Sequence, residues 1–200
     1  MRDRIRVVIT GTPGVGKHTT AKFVANKLGR ATKVIDINKF AIDKRVILEK
    51  DDWYGVVDVN VKKLTKLMAE ELAKKEKKED LIIVGHLAPY VLKPTSRIDL
   101  AVVLRRSPYE LTKVLEERKY PPNKIRDNVA SEILGISLYD TLKAVRRHKI
   151  AEFDTTGKTP QNTADQVISL LLKKSEREVG IIDWLTLVYN KKDLQKFLEY

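Results

Sequence analysis

The segment Gly11-Thr12-Pro13-Gly14-Val15-Gly16-Lys17 restricts the possible folds of this chain more than any other stretch. Glycines at this spacing let a loop wrap closely around oxygen atoms. Backbone N–H groups and the N-terminus of a following helix then face a phosphate, while Lys17 adds a charge that reaches the β/γ region. The pattern needs a strand before it and a helix after it. Arg4–Thr10 is strongly β-prone, and Thr19–Leu28 has helical spacing with Phe23, Val24 and Leu28 able to face a sheet. One position departs from the usual loop. The hydroxyl residue expected after the lysine is His18, which cannot make the usual contact with magnesium, so Thr19 becomes the expected phosphate donor, with Thr20 following.

The remaining pattern is that of an α/β chain. Lys33–Ile37 reads as a second strand. Leu81–Val84 and Leu100–Leu104 are continuous apolar runs, as expected where helices cover both faces of a parallel sheet. Asp58 is positioned to cap a long helix whose stripe is Val61, Leu64, Leu67, Met68 and Leu72. Ser107-Pro108-Tyr109-Glu110 has the form of a capping box. One further helix is expected over Asn123–Arg147, a last strand over Ala151–Phe153, and a helix from Thr159-Pro160 to about Lys174. Residues 38–57 carry no clear pattern. The tail from Ile181 to Tyr200 is amphipathic, contains Trp184, and is expected to pack on the domain, with partner binding as the alternative. Met68 and Tyr109 read as packing residues.

Composition narrows the function classes. The 42% apolar content supports a sizeable core. No apolar run is long enough to span a bilayer, and a soluble intracellular protein is expected. The lack of cysteine excludes disulfides and cysteine zinc sites, and His18, His86 and His148 have no ligand spacing, so no structural metal is expected. The formal charge of +12 favours phosphate-rich partners, although the Lys74–Lys78 run reads first as the solvated end of a helix.

Two fragments imitate GTPase motifs, Asp52-Trp53-Tyr54-Gly55 and Asn190-Lys191-Lys192-Asp193. The first does not follow an apolar strand and the second lies too close to the end of the sequence, so both read as coincidences. The loop Asp154-Thr155-Thr156-Gly157-Lys158-Thr159-Pro160 sits between the last strand and a capped helix. It can pass an adenine ring and read its edge through backbone groups, or serve as a glycine turn.

With these residues in view, the chain resembles the archaeal and eukaryotic adenylate kinase isoenzyme 6 family over roughly residues 4–172. The shared features are the Gly11–Lys17 loop, Gly85-His86, Val103-Leu104-Arg105, Leu115-Glu-Glu-Arg118-Lys-Tyr120, Asp127-Asn128, Glu132-Ile133 and the Asp154–Pro160 loop. The resemblance implies a P-loop nucleoside monophosphate kinase-like fold, with a five-stranded parallel sheet flanked by helices and a short lid at about 106–128. The kinase domain would cover 1–176 and the tail 177–200. It implies transfer of phosphate from ATP to AMP, ATP hydrolysis, and a role in small-subunit maturation through a small-subunit ribosomal protein and pre-ribosomal RNA, in the cytoplasm. A P-loop kinase for another small acceptor is the alternative, as is an ATP-dependent assembly factor. Gly11, Pro13, Gly14, Val15, Gly16, Lys17, His18 and Thr19 would hold ATP phosphates, with Mg²⁺ kept by phosphate and water, and Thr156, Gly157 and Lys158 would flank the base. Lys17, His86 and Arg118 would be catalytic. Asp58 would lie near the monophosphate region. The chain departs from the family at Val84, where an acidic residue is common, and at Ile42, where an arginine is common, although Lys39 and Arg45 lie nearby.

Overall fold

The computed structural model describes residues 4–29, 31–51, 56–74, 79–92 and 97–198. Its strands are β1 (Arg6–Thr10), β2 (Thr32–Asp36), β3 (Ile47–Asp51), β4 (Val56–Val59), β5 (Asp80–Val84), β6 (Leu100–Arg105) and β7 (Ile150–Asp154). The helices of the first half are α1 (Lys17–Leu28), α2 (Ile37–Asp43), α3 (Val61–Lys74) and α4 (Ala88–Val91). Those of the second half are α5 (Pro108–Glu117), α6 (Pro122–Ile133), α7 (Ile136–Ala144), α8 (Pro160–Leu171), α9 (Trp184–Asn190) and α10 (Leu194–Leu198).

Five strands form one parallel sheet in the order β2-β5-β1-β6-β7. Parallel neighbours need long crossovers, and helices supply them on both faces. The alternation of strand side chains divides the core accordingly. Val7, Ile9, Ile82, Leu100, Val102 and Leu104 pack with α1, α5, α6 and α8, while Val8, Leu81, Ile83, Ala101 and Val103 pack with Leu64 and Met68 of α3 and with α4. Both faces are therefore apolar, which is why β5 and β6 are continuous hydrophobic runs.

Four local expectations are corrected. The second strand stops at Asp36 instead of Ile37, because the Asp36 carboxylate accepts the Asn38 and Lys39 N–H groups at 2.9 and 3.2 Å and caps α2. The cap of α3 is Asn60, whose Oδ1 accepts the Lys63 N–H at 2.9 Å, while Asp58 lies within β4. Ser107 makes no side-chain cap on α5. Its N–H donates instead to Thr156 Oγ1 at 2.8 Å, and Glu110 is drawn to the Gly157 N–H at 3.0 Å. The helix expected over 123–147 is two helices, separated where Gly135 takes a left-handed φ of 67°.

Residues 38–57, which showed no pattern, contain most of α2 and the antiparallel pair β3–β4. Asp52–Gly55 and Lys75–Lys78 lie outside the described residues. In the tail, Val188 and Phe197 are buried in the same cluster as α1 and α8, and the Tyr109 and Phe197 rings meet edge to face at 5.2 Å. The second GTPase-like fragment has a packing use: Asp193 accepts a 2.6 Å hydrogen bond from Tyr109, and Lys191 Nζ lies 4.4 Å over the Tyr109 ring.

Candidate active site

In an open parallel sheet, side chains gather at the carboxyl ends of the strands. Here the ends of β1, β5 and β2 carry Gly11–Lys17, Gly85-His86 and Asp36 respectively. Two loop glycines are dictated by space as well as by conformation. At Gly11 (φ 137°) a Cβ would fall 2.3 Å from the Leu104 carbonyl oxygen, and at Gly14 (φ 98°) 2.6 Å from a Leu111 methyl. The loop is thus pressed against Leu104 of β6 and Leu111 of α5.

Lys17 opens α1. Its side chain is buried, and Nζ donates to the Thr12 carbonyl at 2.8 Å. Burial pushes its pKa down to about 7; the Glu132 charge opposes that shift, Arg118 adds to it, and Asp36 opposes it. An incoming phosphate would reverse the balance by giving the ammonium a partner.

His18 fills the position of the missing hydroxyl and turns away to Asp36, with Nε2 2.8 Å from Oδ2. Asp36, inside the strand expected over Lys33–Ile37, is the last residue of β2. Its Cα is level with Val84 on the neighbouring strand, so a carboxylate stands one strand over from the place where the resembling family carries one. Val84 itself is buried in the core. Among the described residues no three His, Cys, Asp or Glu side chains converge on a metal position. A magnesium ion would fit here as an ion brought by the nucleotide and held by phosphate oxygens and water, with Thr19 and Asp36 as the nearby oxygen groups.

A cleft of about 560 Å³ runs from this loop. One wall carries Pro13, Gly14, Gly16, Lys17, His18 and Thr19; the opposite sides carry Asn38 and Ile42, His86, and Arg118 with Lys124 and Asn128. Ile42 is exposed in the cleft, and the Asn38 Oδ1 is buried without a hydrogen-bond partner. His86 is open to the cleft but crowded by protein. Burial, followed by the charges of Lys17 and Lys124, pushes its pKa down to about 4, so the ring is neutral near pH 7. Arg118 follows α5, and Lys119 takes a left-handed φ of 57° to turn the chain toward Pro121-Pro122.

The structure therefore brings Pro13, Gly14, Gly16, Lys17, His18, Thr19, His86 and Arg118 around one cleft. Gly11 and Val15 are buried behind the loop. Thr156, Gly157 and Lys158 do not line the cleft. Their loop is joined to the phosphate loop through Thr155, whose hydroxyl donates to the Arg105 and Val15 carbonyls at 2.8 and 3.3 Å, while the Gly157 N–H is already engaged by Glu110.

Sequence reasoning missed Asp36 and gave no role to Glu132. An acidic residue closing an apolar strand just before a helix was the available signal for the first. Glu132 is defined by contacts 27 and 120 residues away, to Arg105 and Thr12, and carried no local signal.

The comparisons with known proteins agree with this architecture. The AAA domain family matches residues 7–135. A protein of Methanocaldococcus jannaschii named "Putative adenylate kinase" is 36% identical over 180 residues, covering 90% of this chain and 93% of that protein. A protein of the same name from Pyrococcus furiosus is 36% identical over 185 residues, covering 92% and 93%. Among solved structures, a shikimate kinase from Acinetobacter baumannii in complex with shikimate matches with a TM-score of 0.56 at 19% identity, covering 86% of this chain and 95% of that one. A thymidylate kinase from Candida albicans matches with a TM-score of 0.50 at 14% identity, covering 90% and 96%. These two establish a shared P-loop kinase fold, and no described helix is long and apolar enough to cross a membrane. On the match to the AAA domain over residues 7–135 and the 36% identity to the archaeal proteins over 90% or more of the chain, the chain belongs to their P-loop family.

Proposed function

We propose that this protein transfers the γ-phosphoryl group of ATP to AMP. The observation that carries the reading is the single cleft that joins the phosphate loop to a second wall formed around α2, with His86 between them and Arg118 at the side. The names of the archaeal relatives support the same chemistry.

Phosphoryl transfer needs aligned oxygens and concentrated positive charge more than it needs a covalent nucleophile. In this reading the loop N–H groups and Lys17 hold the β- and γ-phosphates, and Thr19 donates its hydroxyl beside them. The acceptor occupies the wall of Asn38 and Ile42. An acceptor phosphate oxygen forms a bond to the γ-phosphorus as the bond from that phosphorus to the β–γ bridging oxygen breaks, leaving ADP on both sides. When bound with the nucleotide, magnesium supplies charge neutralisation. His86, being neutral, positions the acceptor oxygen or a water by hydrogen bonding and contributes no full charge. With the acceptor side empty, water takes that place and the protein acts as an ATPase. Incubation with ATP, magnesium and each of AMP, CMP, GMP and UMP tests the acceptor: AMP should consume ATP at least about tenfold faster than the others, a discrimination of about 1.4 kcal/mol. Equal rates with all four would reject AMP as the defining acceptor.

Arg118 stands on an exposed turn, so its charge should meet the phosphates mainly when that turn closes over the cleft. Arg118→Ala is expected to lower kcat about tenfold or more while changing ATP affinity less than about threefold. Steady-state kinetics with a separate binding titration checks this. Loss of affinity alone would make Arg118 a ground-state contact.

A role in small-subunit maturation, through a ribosomal protein or pre-ribosomal RNA, is supported by the family resemblance and by the +12 charge. Nucleotide-dependent co-purification with such a protein would test it.

A further inference from the structure

We propose that Glu132 is a positioning residue of the nucleotide site, and that through it the C-terminal tail is coupled to the phosphate loop; the proposal rests on the reading of Gly11–Lys17 as that loop. Glu132 is fully buried on α6, and its two carboxylate oxygens gather four donors. Oε2 accepts the Thr12 hydroxyl at 2.5 Å. Oε1 accepts the Arg105 Nε at 2.7 Å, the Arg106 N–H at 3.1 Å and the Trp184 Nε1 at 3.1 Å. One side chain thereby ties together the phosphate loop, the end of β6, α6 and the tail.

The charge balance shows why the link to the loop matters. Arg105 is shared by two buried carboxylates, Glu132 at 2.7 Å and Glu152 at 2.6 Å. The second oxygen of Glu152 accepts the Gly180 and Ile181 N–H groups at 2.8 and 3.1 Å, so the tail is anchored twice to the same cluster. One guanidinium facing two carboxylates leaves one negative charge over. The Glu132 charge favours the protonated form of Lys17, opposing the burial that lowers its pKa. The geometry acts through one residue. Thr12 gives its hydroxyl to Glu132 and its carbonyl to Lys17 Nζ, so fixing the Thr12 side chain fixes the resting place of the ammonium.

Thr12 is buried and does not line the cleft. A change at its hydroxyl can therefore reach a bound nucleotide only through the loop. The same holds for Trp184, whose indole N–H reaches Glu132 from the tail.

The full-length protein is compared with Thr12→Val, Thr12→Ser and Trp184→Phe, measuring the ADP dissociation constant and the melting temperature without nucleotide. Thr12→Val removes the hydroxyl and keeps the shape; Thr12→Ser restores it. Trp53→Phe serves as the parent for all emission measurements, because it leaves Trp184 as the one tryptophan and its emission then reports on the tail. The expected result is about a tenfold weaker ADP affinity for Thr12→Val, recovery to within about threefold for Thr12→Ser, and a several-fold loss for Trp184→Phe, with folded proteins throughout. ADP should also change Trp184 emission in the parent and less in Thr12→Val. If Thr12→Val does not fold, Trp184→Phe and the parent emission decide alone. A parent that binds ADP, with unaltered emission and with Trp184→Phe matching its affinity within twofold, overturns the coupling and leaves the kinase reading standing. A parent that binds neither ADP nor ATP overturns both.

Discussion

Replacing Lys17 with alanine is expected to lower ATP turnover about a hundredfold while leaving the protein folded. Removing one preorganised charged donor from a developing phosphoryl transition state costs on the order of 3 kcal/mol. Lys17 is placed for that task at the first position of α1, inside the curl of the glycine loop. Its resting contact is the Thr12 carbonyl, a neutral acceptor that a phosphate oxygen can replace. The fold should tolerate the change because the pKa of Lys17 is lowered to about 7. A lowered pKa means the folded state disfavours the charged form. That penalty is absent above the unfolded value of 10.5, grows as pH falls toward 7, and is fully present below it. Near neutral pH the ammonium therefore does not hold the protein together, and the melting temperature of Lys17→Ala should stay within a few degrees of the parent. Unchanged turnover in the folded variant would refute the assignment.

His86→Ala should lower both AMP phosphorylation and acceptor-free ATP hydrolysis by about a hundredfold, with ATP affinity nearly unchanged. Both reactions are affected because the same ring would position either oxygen, that of the acceptor or that of water. Its location supports this: Gly85 follows β5 with φ 148°, where a Cβ would lie 3.2 Å from the Ile37 Cβ, and the next residue lines the cleft. The depressed pKa sets the pH signature. Because the folded value is lowered to about 4 by burial and then by Lys17 and Lys124, the parent rate should show no histidine-linked loss between about pH 7 and 5. It should fall only as pH approaches 4 and the ring becomes cationic. Rates within twofold of the parent for both reactions, at unchanged ATP affinity, would make His86 structural.

How far these features were readable in the sequence depended on how local their causes are. The glycine loop was legible because its demands, positive φ and room against β6 and α5, fall on Gly11, Gly14 and Gly16 within one short stretch of sequence. β5 and β6 were legible because burial on both faces leaves an unbroken apolar run. The β3–β4 pair was not, since two strands of 5 and 4 residues outside the main sheet are too short to show a period. The break at Gly135 was passed over because the apolar spacing continues through both α6 and α7, and only the backbone conformation separates them. Asp36 was absorbed into a strand whose last residue it is. His86 and Arg118 entered through family resemblance, and it is the folding of β5 and α5 toward one cleft that brings them near Lys17. The buried set of Arg105, Glu132 and Glu152 is held by contacts across the chain, between residues 27 and 47 positions apart.

The central claim, ATP-to-AMP phosphoryl transfer in one cleft, is tested most directly by the product balance of ATP, AMP and magnesium with the parent protein. Quantified nucleotides and inorganic phosphate should show two ADP formed for each ATP and AMP consumed, with phosphate release a minor fraction, and Lys17→Ala should remove the exchange. One phosphate released for each ATP consumed, with AMP untouched, would contradict it.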